Sequence, residues 1–160
     1  MTTKIQLQSK IQELEQQLTE FKTQLNNYQE VTLETFNPGD ILPDGTVVIQ
    51  KSNGLALLAA PKETEVYCAW SKEFADVFTA LKDHGLNPSQ WFIPTKEQLN
   101  LAYKVAKEHF PSACYWSSTE VSSTNACCLF FVNGNVVSSA KSTRKWSTRK
   151  CVRAFRCVTY

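Results

Sequence analysis

Between Met1 and Glu30 there is neither glycine nor proline, and the large apolar residues of the stripe are Leu7, Ile11, Leu14, Leu18, Phe21, Leu25 and Tyr28. Their 4-3-4-3-4-3 spacing admits one heptad register, with Leu7, Leu14, Phe21 and Tyr28 at d and Ile11, Leu18 and Leu25 at a. So narrow a seam is that of a coiled coil; a helix lying on its own domain shows a wider apolar face. A lone helix of this kind is marginal in water, so the stripe calls for partners. Bulky Phe21 and Tyr28 at d, with no β-branched run at a, disfavour a dimer. The expectation is a parallel homotrimer, with Lys10 facing Glu15 of a neighbouring chain.

Residues 31–38 break the heptad, and Asn37-Pro38-Gly39-Asp40 is a turn cluster. This divides the chain into an oligomerisation stalk, 1–32, and one compact domain, 36–160. A hydrophobic share of 42 % gives that domain enough apolar residues for a core. The net charge of +2 hides a division: nine basic residues face two acids after position 100, and eight face thirteen before it. The opening residues run from Met1-Thr2-Thr3-Lys4-Ile5-Gln6 into Gln and Glu, so a cleaved secretory signal is not expected. No apolar run approaches the roughly 18 residues of a membrane helix, and membrane insertion is not expected either.

Within the domain the pattern is α+β. The runs 46–50 and 55–60 flank Lys51-Ser52-Asn53-Gly54, a hairpin signal. Phe74, Val77, Phe78 and Leu81 repeat at helical spacing and stop at Gly85. Thr95 and Gln98 predict a capping box opening a second helix, whose buried face is Leu99, Ala102, Val105 and Ala106. A second hairpin is expected over 126–132 and 135–140 around Asn133-Gly134, and a closing strand over 151–158. Strands and helices are segregated, so the expected fold is an antiparallel sheet with two helices, preceded by the coiled-coil helix.

Chemistry-bearing motifs are sparse. His84 and His109 sit near predicted helix ends, where a favourable terminus position accounts for them. There is no glycine-rich phosphate loop and no Cys-x-x-Cys, and the only acids after Glu97 are Glu108 and Glu120. No catalytic residue, metal site or cofactor is expected, and the chain does not read as an enzyme. Cys127 and Cys128 are adjacent in a strand, so one of them should face the core. Buried free thiols are the expectation for the six cysteines, with one or two disulfides as the alternative in an extracellular setting.

The densest charge lies over 141–156, with seven basic residues, no acid and one Trp. Arg144, Lys145, Trp146, Arg149 and Lys150 are the candidate ligand-contacting residues, in an exposed loop suited to an anionic or sugar partner. Nothing resembles a recognition helix or an aromatic RNA-binding sheet, which disfavours nucleic acid as the partner. Three loops on one trimer would add avidity to weak individual contacts.

Three stretches occur in order: Trp91-Phe92-Ile93-Pro94-Thr95-Lys96-Glu97-Gln98-Leu99, then Tyr115-Trp116-Ser117-Ser118-Thr119-Glu120, then Ala126, Phe131, Asn133-Gly134 and Lys141 leading to Val152-Arg153-Ala154-Phe155-Arg156. Together they resemble the C-terminal domain family of bacterial collagen-like adhesins, relatives of which occur in bacterial surface proteins and phage tail fibres. The resemblance covers about residues 36–158. It implies a C-type-lectin-like fold and a binding module, often trimeric, that adheres to glycans. The calcium-dependent sugar motifs of true C-type lectins are missing from the sequence, as are collagen repeats and the paired cysteines of formylglycine-generating relatives. The motif residues Trp91, Trp116, Ser117, Glu120, Arg153 and Arg156 read as structural. Trp116 should anchor the core, and the two arginines should pair with Glu97 or Glu120.

These features point to a trimeric phage virion fibre or receptor-binding protein. Its stalk would meet other virion proteins and its heads a host-surface polysaccharide. The alternatives are a structural virion protein that binds no glycan, such as a fibre joint, baseplate or capsid decoration, and a bacterial cell-surface adhesin.

Overall fold

The structure, a computed structural model, describes residues 4–27, 33–141 and 149–160. The chain divides into two compact units, Met1–Thr35 and Phe36–Tyr160. The first is dominated by one helix, α1, over Lys4–Asn27. At a rise of about 1.5 Å per residue it is roughly 36 Å long.

The second unit is a mixed α+β domain built on two sheets. Strands β1 (Val47–Ser52) and β2 (Leu55–Ala59) form a hairpin closed by Asn53 and Gly54, at φ 52° and 73°. Two positive φ values are what the tight turn matching strand twist requires, and Asn-Gly supplies them at least cost. Strand β2 also pairs antiparallel with β8 (Phe155–Thr159), so the domain's first strands are hydrogen-bonded to its last.

The second sheet has five strands, ordered β3-β7-β4-β5-β6. These are β3 (Val66–Cys68), β4 (Cys114–Glu120), β5 (Asn125–Phe130), β6 (Val136–Ala140) and β7 (Lys150–Val152). Contrary to the all-antiparallel expectation, β7 runs parallel to β4, with Tyr115 opposite Cys151. The expected single closing strand is likewise two strands, β7 and β8, in different sheets. The chain changes sheet at Arg153-Ala154, where Ala60 N–H donates to Ala154 O at 2.8 Å.

Helix α2 spans Ala75–Asp83 and ends in a glycine cap at Gly85, with Leu86 N–H reaching Leu81 O at 2.9 Å and Gly85 N–H reaching Lys82 O at 2.9 Å. Helix α3, Lys96–Ala106, opens with the expected capping box: Gln98 N–H donates to Thr95 Oγ1 and Thr95 N–H to Gln98 Oε1. The second hairpin differs from expectation. Phe131 leaves the strand at Phe130, is fully buried, and donates its N–H to Ala113 O, so residues 131–135 make a wider turn.

Both faces of the central strands β4 and β5 are covered. Tyr115 and Leu129 enter one core with α3, Phe110, Phe131 and Phe155, while Trp116 and Cys128 enter another with α2, Trp70 and Trp91. Because β5 is buried on both sides, Cys127 and Cys128 are both buried, where alternation on a half-exposed strand would bury one.

Candidate functional site

On α1, Leu7, Ile11, Leu14 and Leu18 are each 53–54 % exposed in the single chain. Residues four and three apart share a helix face, so these four form a continuous apolar line. Phe21 and Leu25 continue the helix backbone, while Tyr28 lies outside the described residues. Lys10 reaches Glu13 of its own helix at 2.8 Å.

In the head, the motif stretches meet one another. Ser118 N–H donates to Pro94 O at 2.9 Å, and Thr119 Oγ1 accepts from Lys96 N–H at 3.1 Å, capping one of the open amides at the start of α3. Ser117 is buried and donates to Cys127 O at 2.9 Å. Trp116 is fully buried, and its indole N–H donates to Cys68 O at 3.3 Å. Arg153 does not meet Glu97 or Glu120. It is 1 % exposed, with Nε donating to Ala60 O at 2.6 Å and Nη1 to His109 O at 2.7 Å. Arg156 lies instead beside Asp44 at 3.6 Å and stacks on Trp91, its Cζ 4.7 Å from the ring centre. Glu97 is near Lys96, and Glu120 is held by Lys141, with Lys72 at 3.9 Å.

Of the candidate ligand-contacting residues, Arg144, Lys145 and Trp146 lie outside the described residues. Arg149 is exposed and lines a small cavity with Trp70, Phe74 and Asp76. Lys150 departs from the exposed-loop expectation. It is the first residue of β7, 8 % exposed, with Nζ 4.6 Å from the centre of the Trp116 ring. An ammonium in that position is held by the ring's negative face and is part of the core.

A cleft that the sequence patterns did not single out lies among α2, the loop before it, residues 91–93 and β4. It encloses about 460 Å³ and is walled by Trp70, Phe74, Phe78, Trp91, Phe92 and Ile93, with Lys72, Ser118 and Glu120 at its rim. Trp70 and Phe74 meet edge to face at 5.6 Å, and the Trp70 indole N–H donates to Ser117 O at 2.8 Å. Trp91, only 5 % exposed, is different: its indole N–H is buried and finds no acceptor among the described residues. Such an orphaned donor costs roughly 1–3 kcal/mol.

Phe74 was expected in the helix, but it stands just before α2 with φ 43° and ψ 44°, in the left-handed region. A bulky aromatic there carries roughly 1–3 kcal/mol of strain. Its N–H is held by Ser71 Oγ at 2.8 Å, and its carbonyl accepts from Val77 N–H at 2.9 Å, so the neighbouring structure enforces the conformation.

At the rim, the Lys141 ammonium donates to Glu120 Oε2 and to Ser122 O at 2.9 Å, and it sits 4.2 Å from the Trp70 ring centre. That hydrogen bond holds the Glu120 carboxyl below the usual carboxylate range.

A larger cavity of about 590 Å³ is lined in part by Lys62, Glu63, Glu108, His109 and Arg153. Its charges are of both signs, and its arginine already holds two carbonyls. His109 Nε2 lies 2.8 Å from Gly39 O. The residues around it therefore act on one another and tie the segment before β1 to the end of α3.

All six cysteines are free thiols. Burial pushes Cys68 up to about 11, and burial with Glu65 nearby pushes Cys151 up to about 12. Cys114 on β4 and Cys128 on β5 act on each other, which raises the first thiol and lowers the second. Among the described residues no group of three or more His, Cys, Asp or Glu is placed to hold a metal ion, and no helix is long and apolar enough to cross a membrane. No protein-family model matches the chain, and no curated protein matches it.

Proposed function

We propose that the chain is a non-enzymatic, trimeric fibre or receptor-binding protein of a phage virion, in which a coiled-coil stalk presents three C-type-lectin-like heads to a host-surface glycan. The observation that carries this reading is the apolar line Leu7, Ile11, Leu14 and Leu18, half exposed on a helix that a single chain leaves open. Leaving four large aliphatic side chains in water forgoes roughly 1.5–3 kcal/mol for each that a partner would fully bury. The heptad register directs that burial into a bundle of identical helices.

Support for the lectin-like reading comes from the topology. The first strands of the head pair with its last, two helices lie between, and a second sheet completes the domain. The Pro94–Ser118 and Lys96–Thr119 contacts give the resembling stretches a common purpose, since each fixes the other's backbone.

The test is capture of the full chain on an array of acidic bacterial polysaccharides at low and raised salt. Binding that weakens with salt is expected of a head whose second half is strongly basic. No binding to any polysaccharide overturns the receptor reading.

One observation favours the structural alternative. Edge strand β6 and the turn before it expose Val132 at 57 %, Val136 at 43 % and Val137 at 37 %, apolar side chains on both faces of a sheet edge that no other described strand pairs. A virion joint would bury this edge against a neighbouring protein. A trimer that binds no glycan and assembles only with other virion proteins is the result this second reading predicts.

A further inference from the structure

We infer that the cavity lined by Arg153 and Lys62 is an acid-sugar subsite of the head, taking the carboxylate of one uronic acid on the Arg153 guanidinium and its hydroxyls on the polar groups around it. This rests on the receptor reading for the source of the sugar and adds which group of it is held and by what.

An arginine is almost never fully buried unless a carboxylate pairs with it. Arg153 is 1 % exposed, yet no described carboxylate forms an ion pair with it. The neighbouring Glu65 is taken by Tyr115, whose hydroxyl donates to Oε2 at 2.5 Å. Burial lowers the Arg153 pKa from the usual arginine value, and Glu65 and Glu63 oppose that only through space. Its Nε is spent on Ala60 O and its Nη1 on His109 O, and its Cζ lies 4.5 Å from the Phe110 ring centre. Nη2 has no hydrogen-bond partner among the described residues. The sealed side-chain nitrogens without a partner are Trp91 Nε1 and Arg156 Nε, so Nη2 is not sealed, and its surface opens where Arg153 lines the cavity. Two carbonyls and a ring therefore fix a charged, open donor on the cavity wall before any ligand arrives.

The rest of the lining fits the rest of the ligand. Lys62 is exposed on the same cavity, two residues beyond the Ala60 carbonyl that Arg153 holds, and its ammonium has no partner among the described residues. Glu63, Glu108 and Ser112 are also exposed there and can accept from hydroxyls. The volume of about 590 Å³ falls in the range of roughly 300–1,000 Å³ typical of small-molecule sites. A phosphate dianion would use the two cations but be repelled by Glu63 and Glu108, and a neutral sugar would leave the guanidinium unpaired. A uronic acid, one carboxylate on a ring of hydroxyls, answers both. Its contact with the guanidinium is of the stronger, charge-assisted kind.

The experiment follows the Nε–H signals of the four arginines in the ¹⁵N-labelled full chain during titration with sodium glucuronate, sodium galacturonate, glucose and sodium glutamate. At least one uronate should move the Arg153 signal, and glucose and glutamate should not. Lys62→Ala, at an exposed position, should weaken that uronate about two- to five-fold. Ser112→Trp, also at an exposed position, should occlude the cavity and weaken it roughly ten-fold or more while keeping the native circular dichroism spectrum. If Ser112→Trp does not fold, Lys62→Ala carries the test.

An Arg153 signal that stays fixed with both uronates overturns the assignment, as do shifts confined to the other arginines. Equal movement with glucose overturns it because the acid group is then not what is held, and equal movement with glutamate because the sugar hydroxyls are then not read. Uronate binding unchanged by either variant places the ligand elsewhere and overturns it too. Polysaccharide capture with Arg153 unmoved overturns the cavity alone and leaves the receptor reading standing. Movement of that signal by a uronate, in a chain that captures no bacterial polysaccharide, supports the cavity and overturns the receptor reading.

Discussion

Arg153 shows how a single residue decides where the chain may go. It stands where β7 ends and the chain leaves for the other sheet, and its guanidinium satisfies Ala60 O and His109 O together. Arg153→Leu is several atoms shorter, so it loses the guanidinium lying 4.5 Å from the Phe110 ring centre and leaves both carbonyls without that donor. At roughly 1–3 kcal/mol for each buried group, the loss should be about 3 kcal/mol in urea unfolding, and Arg153→Lys should recover part of it. A loss below 1 kcal/mol would mean that the guanidinium is dispensable to the sheet crossing.

The thiols give a second residue-scale prediction. An unperturbed thiol ionises near 9, whereas Cys68 keeps its proton to about 11 and Cys151 to about 12. Above pH 9 the folded head therefore binds more protons than the unfolded chain, so this contribution is intact below 9 and is lost as the pH rises through that window. Thermal melts should hold steady from about pH 7 to 8.5 and fall by about pH 10.5. In the native protein at pH 8, iodoacetamide should modify exposed Cys157 first. Modification of Cys68 or Cys128 ahead of Cys157 would contradict the packing.

At the scale of elements, two glycines with similar backbone differ in surroundings. Gly54 has φ 73°, and a methyl group added there would meet only Tyr160 O at 3.9 Å. Gly39 has φ 100°, and the same methyl would lie 2.7 Å from Val105 O, a backbone atom of α3. Gly54→Ala should cost about 1 kcal/mol of conformational strain. Gly39→Ala adds a displacement of the helix and should cost at least about 1 kcal/mol more. Equal losses in chemical unfolding would show that the segment before β1 is not packed on α3.

The elements legible in the sequence were those set by near neighbours. Asn53-Gly54 dictates its own turn, Thr95 and Gln98 cap each other across one helical turn, and the α1 seam is a local periodicity. Elements set by distant partners were not legible. Nothing near Arg153 announces that the chain changes sheets there, because Ala60 and His109 are the cause. Phe131 looked like strand because its burial depends on Phe110 and Tyr115, stacked and tilted rings from other elements. The cleft was hidden for the same reason. Phe74 matched a helical spacing that the left-handed backbone breaks, and Trp91 appeared only as a motif tryptophan. The one local hint was the Trp70–Phe74 pair, two large aromatics four apart ahead of a short helix.

For the whole molecule, the proposed function rests on the charge division and the helix seam together. In the trimer proposed above, the strongly basic second half of the chain would give each head an attraction for anionic surfaces that salt weakens, and tethering would multiply such contacts. Replacing Leu14 and Leu18 together with lysine places like charges in the seam. It should release monomers while leaving the head's thermal transition in place. A head that unfolds with the seam would mean that the two units are not independent.

The most direct measurement is the mass of the full chain by light scattering at micromolar concentration. A parallel trimer gives about 54 kDa, three times the 18.1 kDa chain. A mass of one chain would contradict the coiled-coil stalk, and with it the presentation of three heads together.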